Sequence, residues 1–144
     1  RRRGFFIAEA QRGDPEDEMT ENEISAIILD AAIAVHKELG GPGLLESVYE
    51  EALAFELQDR GVSVERQVVV PLVYKGHCLG TPLRLDLLVD GQVIVECKAV
   101  ELYNMIFNIQ VLTYLRLKGL KLGLVINFGA ATIKEGFHRV VNGL

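Results

Sequence analysis

Asp86, Glu96 and Lys98 are the residues of this 144-residue chain whose types and spacing could do chemistry together. Hard divalent cations take carboxylate oxygens, and Mg²⁺ typically combines one or two carboxylates with waters and substrate phosphate. An ammonium beside them can hold an attacking water or stabilise charge growing on a phosphate. An isolated Glu-x-Lys is more often a solvated strand face whose ions pair at i and i+2 and contribute little. The aspartate a short distance upstream is what shifts the balance.

These residues lie in Leu83-Arg-Leu-Asp-Leu-Leu-Val-Asp-Gly-Gln-Val-Ile-Val-Glu-Cys-Lys98. Alternating Leu, Val and Ile broken by Asp90-Gly91 read as a β-hairpin. Strand side chains alternate with period two, so the parity of the loop decides which rows meet. A two-residue Asp-Gly turn, the usual expectation, would set Asp86 opposite Val95. An odd loop, such as a type I turn with a bulge at Gly91, puts Asp86, Glu96 and Lys98 on one face. It also gathers Leu85, Leu87, Val93 and Val95 on the other. The polar and apolar rows match only with the odd loop, which is therefore the expected one.

Asp86, nine intervening residues and Glu96-Cys97-Lys98 resemble the core signature of the PD-(D/E)XK nuclease superfamily. Gln110-Val-Leu-Thr-Tyr114 resembles the Gln-x-x-x-Tyr motif of its RecB-type members. Gly43-Leu-Leu-Glu46-Ser-Val-Tyr49 is similar to the motif for which the GxxExxY family is named. With Asn127-Phe128-Gly129, these run in that family's order and cover about Met19 to Val141. The resemblance implies an α/β, restriction-endonuclease-like αβββαβ core, a mixed central sheet flanked by helices. It implies a metal-dependent nuclease in which Asp86, Glu96 and the Cys97 carbonyl ligate Mg²⁺ or Mn²⁺. Glu46 would complete the metal's shell directly or through water. Lys98 would polarise the attacking water, and Gln110 and Tyr114 would orient the shell or the substrate strand. Phe107 and Met105 depart from the pattern, which carries His and Pro there, so a substrate contact is expected to be missing.

Fifteen basic and 20 acidic residues give a net charge of −5, against a protein that coats nucleic acid by charge alone. A nuclease is not excluded, because its metal supplies local positive charge. Nucleic acid, with DNA first, is the expected partner. A homodimer or a protein partner is compatible with the sequence, and substrate strandedness and end preference are not legible in it. Cys78 and Cys97 lack metal-site spacing, and Cys97 reads as a small core residue in a reducing compartment, the cytoplasm. No apolar run reaches the roughly 18 residues a membrane span needs. Residues 1–18 are expected to form a flexible extension before a single domain over residues 19–144. A catalytically silent binding module on a nuclease fold, acting with a partner, is the alternative function. A small-molecule hydrolase lacks a Ser/His/Asp motif or a Cys with a convincing base.

Around the hairpin, Thr20 and Glu23 have capping-box spacing and open a helix with apolar residues from Ile24 to Leu39 at helical intervals. His36, beside that stripe, reads as a packed or hydrogen-bonded residue ahead of a catalytic one. Gly40-Gly41-Pro42-Gly43 stops this helix. A second helix is expected from Leu45 to Arg60, with Glu46 in the first turn, where the helix dipole favours a carboxylate. Val62 to Tyr74 reads as strand, Lys75-Gly76-His77 as a turn, and Leu102 to Lys118 as the third helix. Gln110, four residues before Tyr114 and on its face, needs a hydrogen-bond partner if buried. Leu120 to Phe128 reads as a strand buried on both faces, reached by a crossover and paired in parallel. A last strand or short helix is expected over Ala131 to Val141, with His138 and Arg139 facing solvent or touching phosphate.

Overall fold

The computed structural model describes residues 18–144, and the remainder of the expected N-terminal extension lies outside them. Helix α1 (Glu21–Glu38) opens with the capping box: the Thr20 hydroxyl accepts from the Glu23 N–H and Glu23 accepts from the Thr20 N–H. Helix α2 (Glu46–Asp59) follows the glycine turn. Next come β1 (Val64–Val70), a small hairpin of β2 (Val73–Tyr74) and β3 (His77–Cys78), and the central pair β4 (Leu83–Val89) and β5 (Val93–Lys98). Helix α3 (Ile106–Lys118), β6 (Leu122–Asn127), a single turn α4 (Ile133–Gly136) and β7 (Phe137–Val141) complete the chain.

The main sheet has the order β1-β4-β5-β6-β7, antiparallel except for β5 and β6. That parallel pair requires the crossover supplied by α3. All six residues of β6 are buried, as the continuous apolar run implied. Ile24, Ile28, Tyr49, Leu53 and Leu57 of α1 and α2 pack with Leu87, Val95 and Leu124 on one face. On the other face, Val111 and Leu115 of α3 pack with Ile94 and Val125. Gly123 permits this close approach, since a Cβ there would collide with Val111.

Several expected boundaries move. The strand expected over Val62–Tyr74 divides at Pro71-Leu72, and His77 is not in the loop but pairs with Tyr74 across the Lys75-Gly76 turn. Helix α3 starts at Ile106 rather than Leu102, because Asn104 Oδ1 accepts the Ile106 N–H and opens the helix there. The stretch after Ala131 contains both a short helix and a strand. His138 and Arg139 lie on opposite faces of β7. The His138 ring stacks on Tyr103 at 3.9 Å, whereas Arg139 bonds Ser25 and Asn22 of α1.

Candidate active site

The odd loop is present: Val89 pairs with Val93, leaving Asp90, Gly91 and Gln92 between them. Its construction differs from the expected type I turn. Asp90 and Gly91 both have positive φ (54° and 67°), and the Gln92 N–H returns to the Val89 carbonyl. Two left-handed central residues characterise a type I′ turn, and Gln92 is the extra residue that changes the parity. Extending the register one rung beyond Leu87 and Val95 brings Asp86 opposite Glu96.

That rung has no regular backbone pairing on either side. The β4–β5 ladder stops at Leu87 and Val95, and the β1–β4 ladder skips Gln67 and Asp86. Side chains fill the gap: the Asp86 N–H donates to Glu96 Oε2 at 3.0 Å, and the Cys97 N–H donates to Asp86 Oδ2 at 2.9 Å. The apolar rows change at the same place. Leu87, Val93 and Val95 share one core as expected, but Leu85 packs in the opposite core with Val70 and Ile94. The expected single row from Leu85 to Leu87 is thus corrected: the interrupted ladder at Asp86 lets β4 turn its apolar side over.

Each carboxylate uses one oxygen for a backbone N–H. No buried side-chain oxygen or nitrogen among the described residues lacks a partner, so the second oxygens of Asp86 and Glu96 reach solvent. Burial, and then the neighbouring Asp86 charge, push the Glu96 carboxyl up to about 8. Burial also raises Asp86, against the lowering effect of the Cys97 N–H. The charge of Lys98 acts in the opposite sense on both. Two like charges crowded in a half-dry site are an arrangement that a cation relieves.

The elements around the pair bring most of the remaining sequence candidates close. The Lys98 ammonium lies 4.5 Å from the centroid of the Phe107 ring on α3. Phe107, a departure from the family pattern, therefore carries the lysine. Tyr114, on the same helix, is raised by burial and then by the charges of Glu96 and Asp86. Gln110, one turn earlier, is exposed and its side chain makes no hydrogen bond among the described residues, so it has no buried partner to find. Glu46 is the first residue of α2 and, with Leu44, Leu45, Ser47 and Ala99, lines a cavity of about 400 Å³ at the exit of β5.

Cys97 is fully buried, and burial raises its thiol well above the ordinary range. Its N–H points to β4, while the Lys98 carbonyl accepts from Phe128 after β6. Main-chain groups alternate along a strand, so the Cys97 carbonyl also lies on the β4 side, where the ladder has ended.

Tyr49 and the Asn127-Phe128-Gly129 segment build the walls. The fully buried Tyr49 hydroxyl donates to the Gly41 carbonyl at 2.7 Å and accepts from the Leu44 N–H at 3.1 Å. This holds the glycine turn that leads to Glu46, and the Tyr49 ring stacks on Phe128 at 4.6 Å. His36 is buried and its Nε2 lies 3.1 Å from the Phe128 carbonyl, a packing and hydrogen-bonding role. Asn127 bonds the Val100 N–H and carbonyl and also accepts from the Gly129 N–H.

Sequence reasoning missed Glu50 and Gln67. Glu50 of α2 is only 6% exposed, and both its oxygens accept from Gln67 Nε2 at 3.1 and 2.9 Å. Arg66 adds a 3.4 Å contact. The available signal was a carboxylate within the buried stripe of Tyr49, Leu53, Ala54 and Leu57.

Among the described residues, no three His, Cys, Asp or Glu side chains form a ready cation cage. Two carboxylates with free oxygens and a backbone carbonyl nevertheless suit a hydrated divalent ion, which keeps several waters. Among the same residues, no helix is long and apolar enough to cross a membrane. No curated protein and no solved structure matches the chain significantly. The family model of the PD-(D/E)XK nuclease superfamily matches residues 22–140, from the first helix to the last strand. With that match running through the Asp86–Glu96 rung, the chain belongs to the PD-(D/E)XK nuclease superfamily.

Proposed function

We propose that the protein is a metal-dependent nuclease that hydrolyses phosphodiester bonds of nucleic acid, with DNA the first substrate to test. The single observation carrying this reading is the convergence of Asp86, Glu96 and the charge of Lys98 on a rung that lacks backbone pairing. Superfamily membership supports it, since such nucleases generally use divalent metal ions. The ordered motifs around Glu46 and Gln110 favour the GxxExxY branch.

Asp86, Glu96 and the Cys97 carbonyl would hold Mg²⁺ or Mn²⁺, with Glu46 contributing directly or through water. The bound ion supplies positive charge to phosphate oxygens and makes water a better nucleophile. Lys98, steadied by Phe107, donates hydrogen bonds that orient the attacking water and offset charge on the phosphate. Tyr114 and Gln110, neighbours on one helix face, orient the carboxylates or the substrate strand.

A panel of single- and double-stranded DNA and RNA, with and without Mn²⁺, tests this reading. Cleavage should require the ion and disappear in Asp86→Asn. If Lys98→Ala cut DNA and RNA as fast as wild type, the mechanism would be wrong. The second reading, a silent binding module, is favoured by the exposure of Gln110 and the acidic balance of the chain. It predicts no metal binding even with substrate present.

A further inference from the structure

Gln67 stands on β1 directly across from Asp86, at the rung where the β1–β4 ladder is skipped. Its φ is +53°, a left-handed conformation uncommon for a non-glycine residue in the middle of a strand. Its neighbours on either side, Arg66 and Val68, pair regularly with Leu87 and Leu85. The distortion is therefore confined to one residue. The Gln67 side chain donates to both oxygens of Glu50, a carboxylate that α2 buries against the sheet. The other partner of Glu50, Arg66, is 43% exposed and more distant, at 3.4 Å. Strained backbone persists only where the surroundings over-determine it.

We propose that Gln67 and Glu50 form a positioning pair for Asp86: by leaving the strand to hold Glu50, Gln67 keeps the Asp86 rung open to a divalent cation and sets a third negative charge beside it. The pair touches neither substrate nor ion and acts through Asp86. In support, the charge of Glu50 raises the Asp86 carboxyl more than that of Glu46 does, and it reaches Glu96 as well. This inference rests on the metal-site reading given above and adds what sets the affinity of that site.

The test is a calorimetric titration of the full chain with Mn²⁺, run beside thermal unfolding. Glu50→Gln retains an amide-to-amide hydrogen bond with Gln67 but removes the charge. Mn²⁺ affinity should fall about ten- to a hundredfold, as when a supporting group behind a metal ligand is lost. Gln67→Gly accepts the positive φ without strain and loses the anchor, so affinity should fall, while Tm drops because the buried Glu50 carboxylate loses its amide partner, a cost the relieved backbone offsets only in part. The exchange E50Q/Q67E restores carboxylate and hydrogen bond with their positions reversed and should recover most of the affinity. Because Gln67→Gly relieves the backbone, it reports even if Glu50→Gln fails to fold. Wild-type affinity in both single variants, or no recovery in a folded exchange variant, overturns the positioning pair alone. Wild-type protein that binds no Mn²⁺ overturns the metal-site reading and the pair together.

Discussion

Asp86 and Glu96 each bond the backbone of the strand opposite, Asp86 accepting from the Cys97 N–H at 2.9 Å and Glu96 from the Asp86 N–H at 3.0 Å. Two side chains thus do what one rung of the ladder would otherwise do. Both carboxylates are fixed in place facing each other, at the point where β4 turns its apolar side from one core to the other.

Burial of Glu96, and then its nearness to the Asp86 charge, make the metal-free protein sensitive to pH. The Glu96 carboxyl lies near 8 when folded, against an ordinary value of 4.5. Between those values the folded state holds a proton that the unfolded state has released, so stability falls as pH rises through this window. Tm should be higher at pH 5.5 than at pH 8, and Glu96→Gln should flatten the slope. If Glu96 holds Mg²⁺ as proposed, the ion competes with that proton, and its stabilising effect should grow toward pH 8. Thermal unfolding against pH, with and without Mg²⁺, reads both, and a slope of opposite sign would contradict the burial of this group.

Lys98→Ala should lose at least about a hundredfold in cleavage rate, the usual scale for a positioned charge or proton donor, with Tm close to wild type. Phe107→Leu should lose less, because it removes the ring under the ammonium and not the ammonium itself. A weakened cation–π contact is worth about 0.5–2 kcal/mol, so a rate loss of roughly two- to thirtyfold is expected. Equal rates for Phe107→Leu and wild type would show that Lys98 is held by other contacts.

Tyr49→Phe keeps the stack on Phe128 and deletes only the hydroxyl that grips Gly41 and Leu44. The loss of two buried hydrogen bonds should cost about 1–3 kcal/mol of stability. Glu46 begins at the residue after Leu45, so a looser turn should also weaken metal-dependent cleavage if Glu46 supports the ion. Chemical denaturation and a cleavage assay on the same variant separate the two effects.

Gly129→Ala and Asn127→Ala test the wall opposite Tyr49. A Cβ at Gly129 would meet the Val100 backbone N at 2.7 Å as well as its carbonyl, and backbone cannot swing aside. Asn127→Ala strands the Val100 N–H and carbonyl together. Each change should destabilise by about 2–4 kcal/mol, read from the denaturation midpoint.

The sequence alone determined the hairpin, its odd loop and the meeting of Asp86 with Glu96, because period-two alternation leaves one parity that matches both rows. It also determined the first helix cap, the buried β6 and its parallel pairing, since these depend on local spacing and on an unbroken apolar run. Tertiary structure decided the rest. Leu85 changes core because a ladder is interrupted, and no local pattern encodes an interruption made by a residue on another strand. Phe107 becomes the seat of Lys98, and Glu50 the partner of Gln67, only when α3 and α2 close on opposite faces of the sheet. Whether a charged residue on a helix faces solvent or the dry side of a site depends on which surface packs against it, and that is fixed by distant parts of the chain.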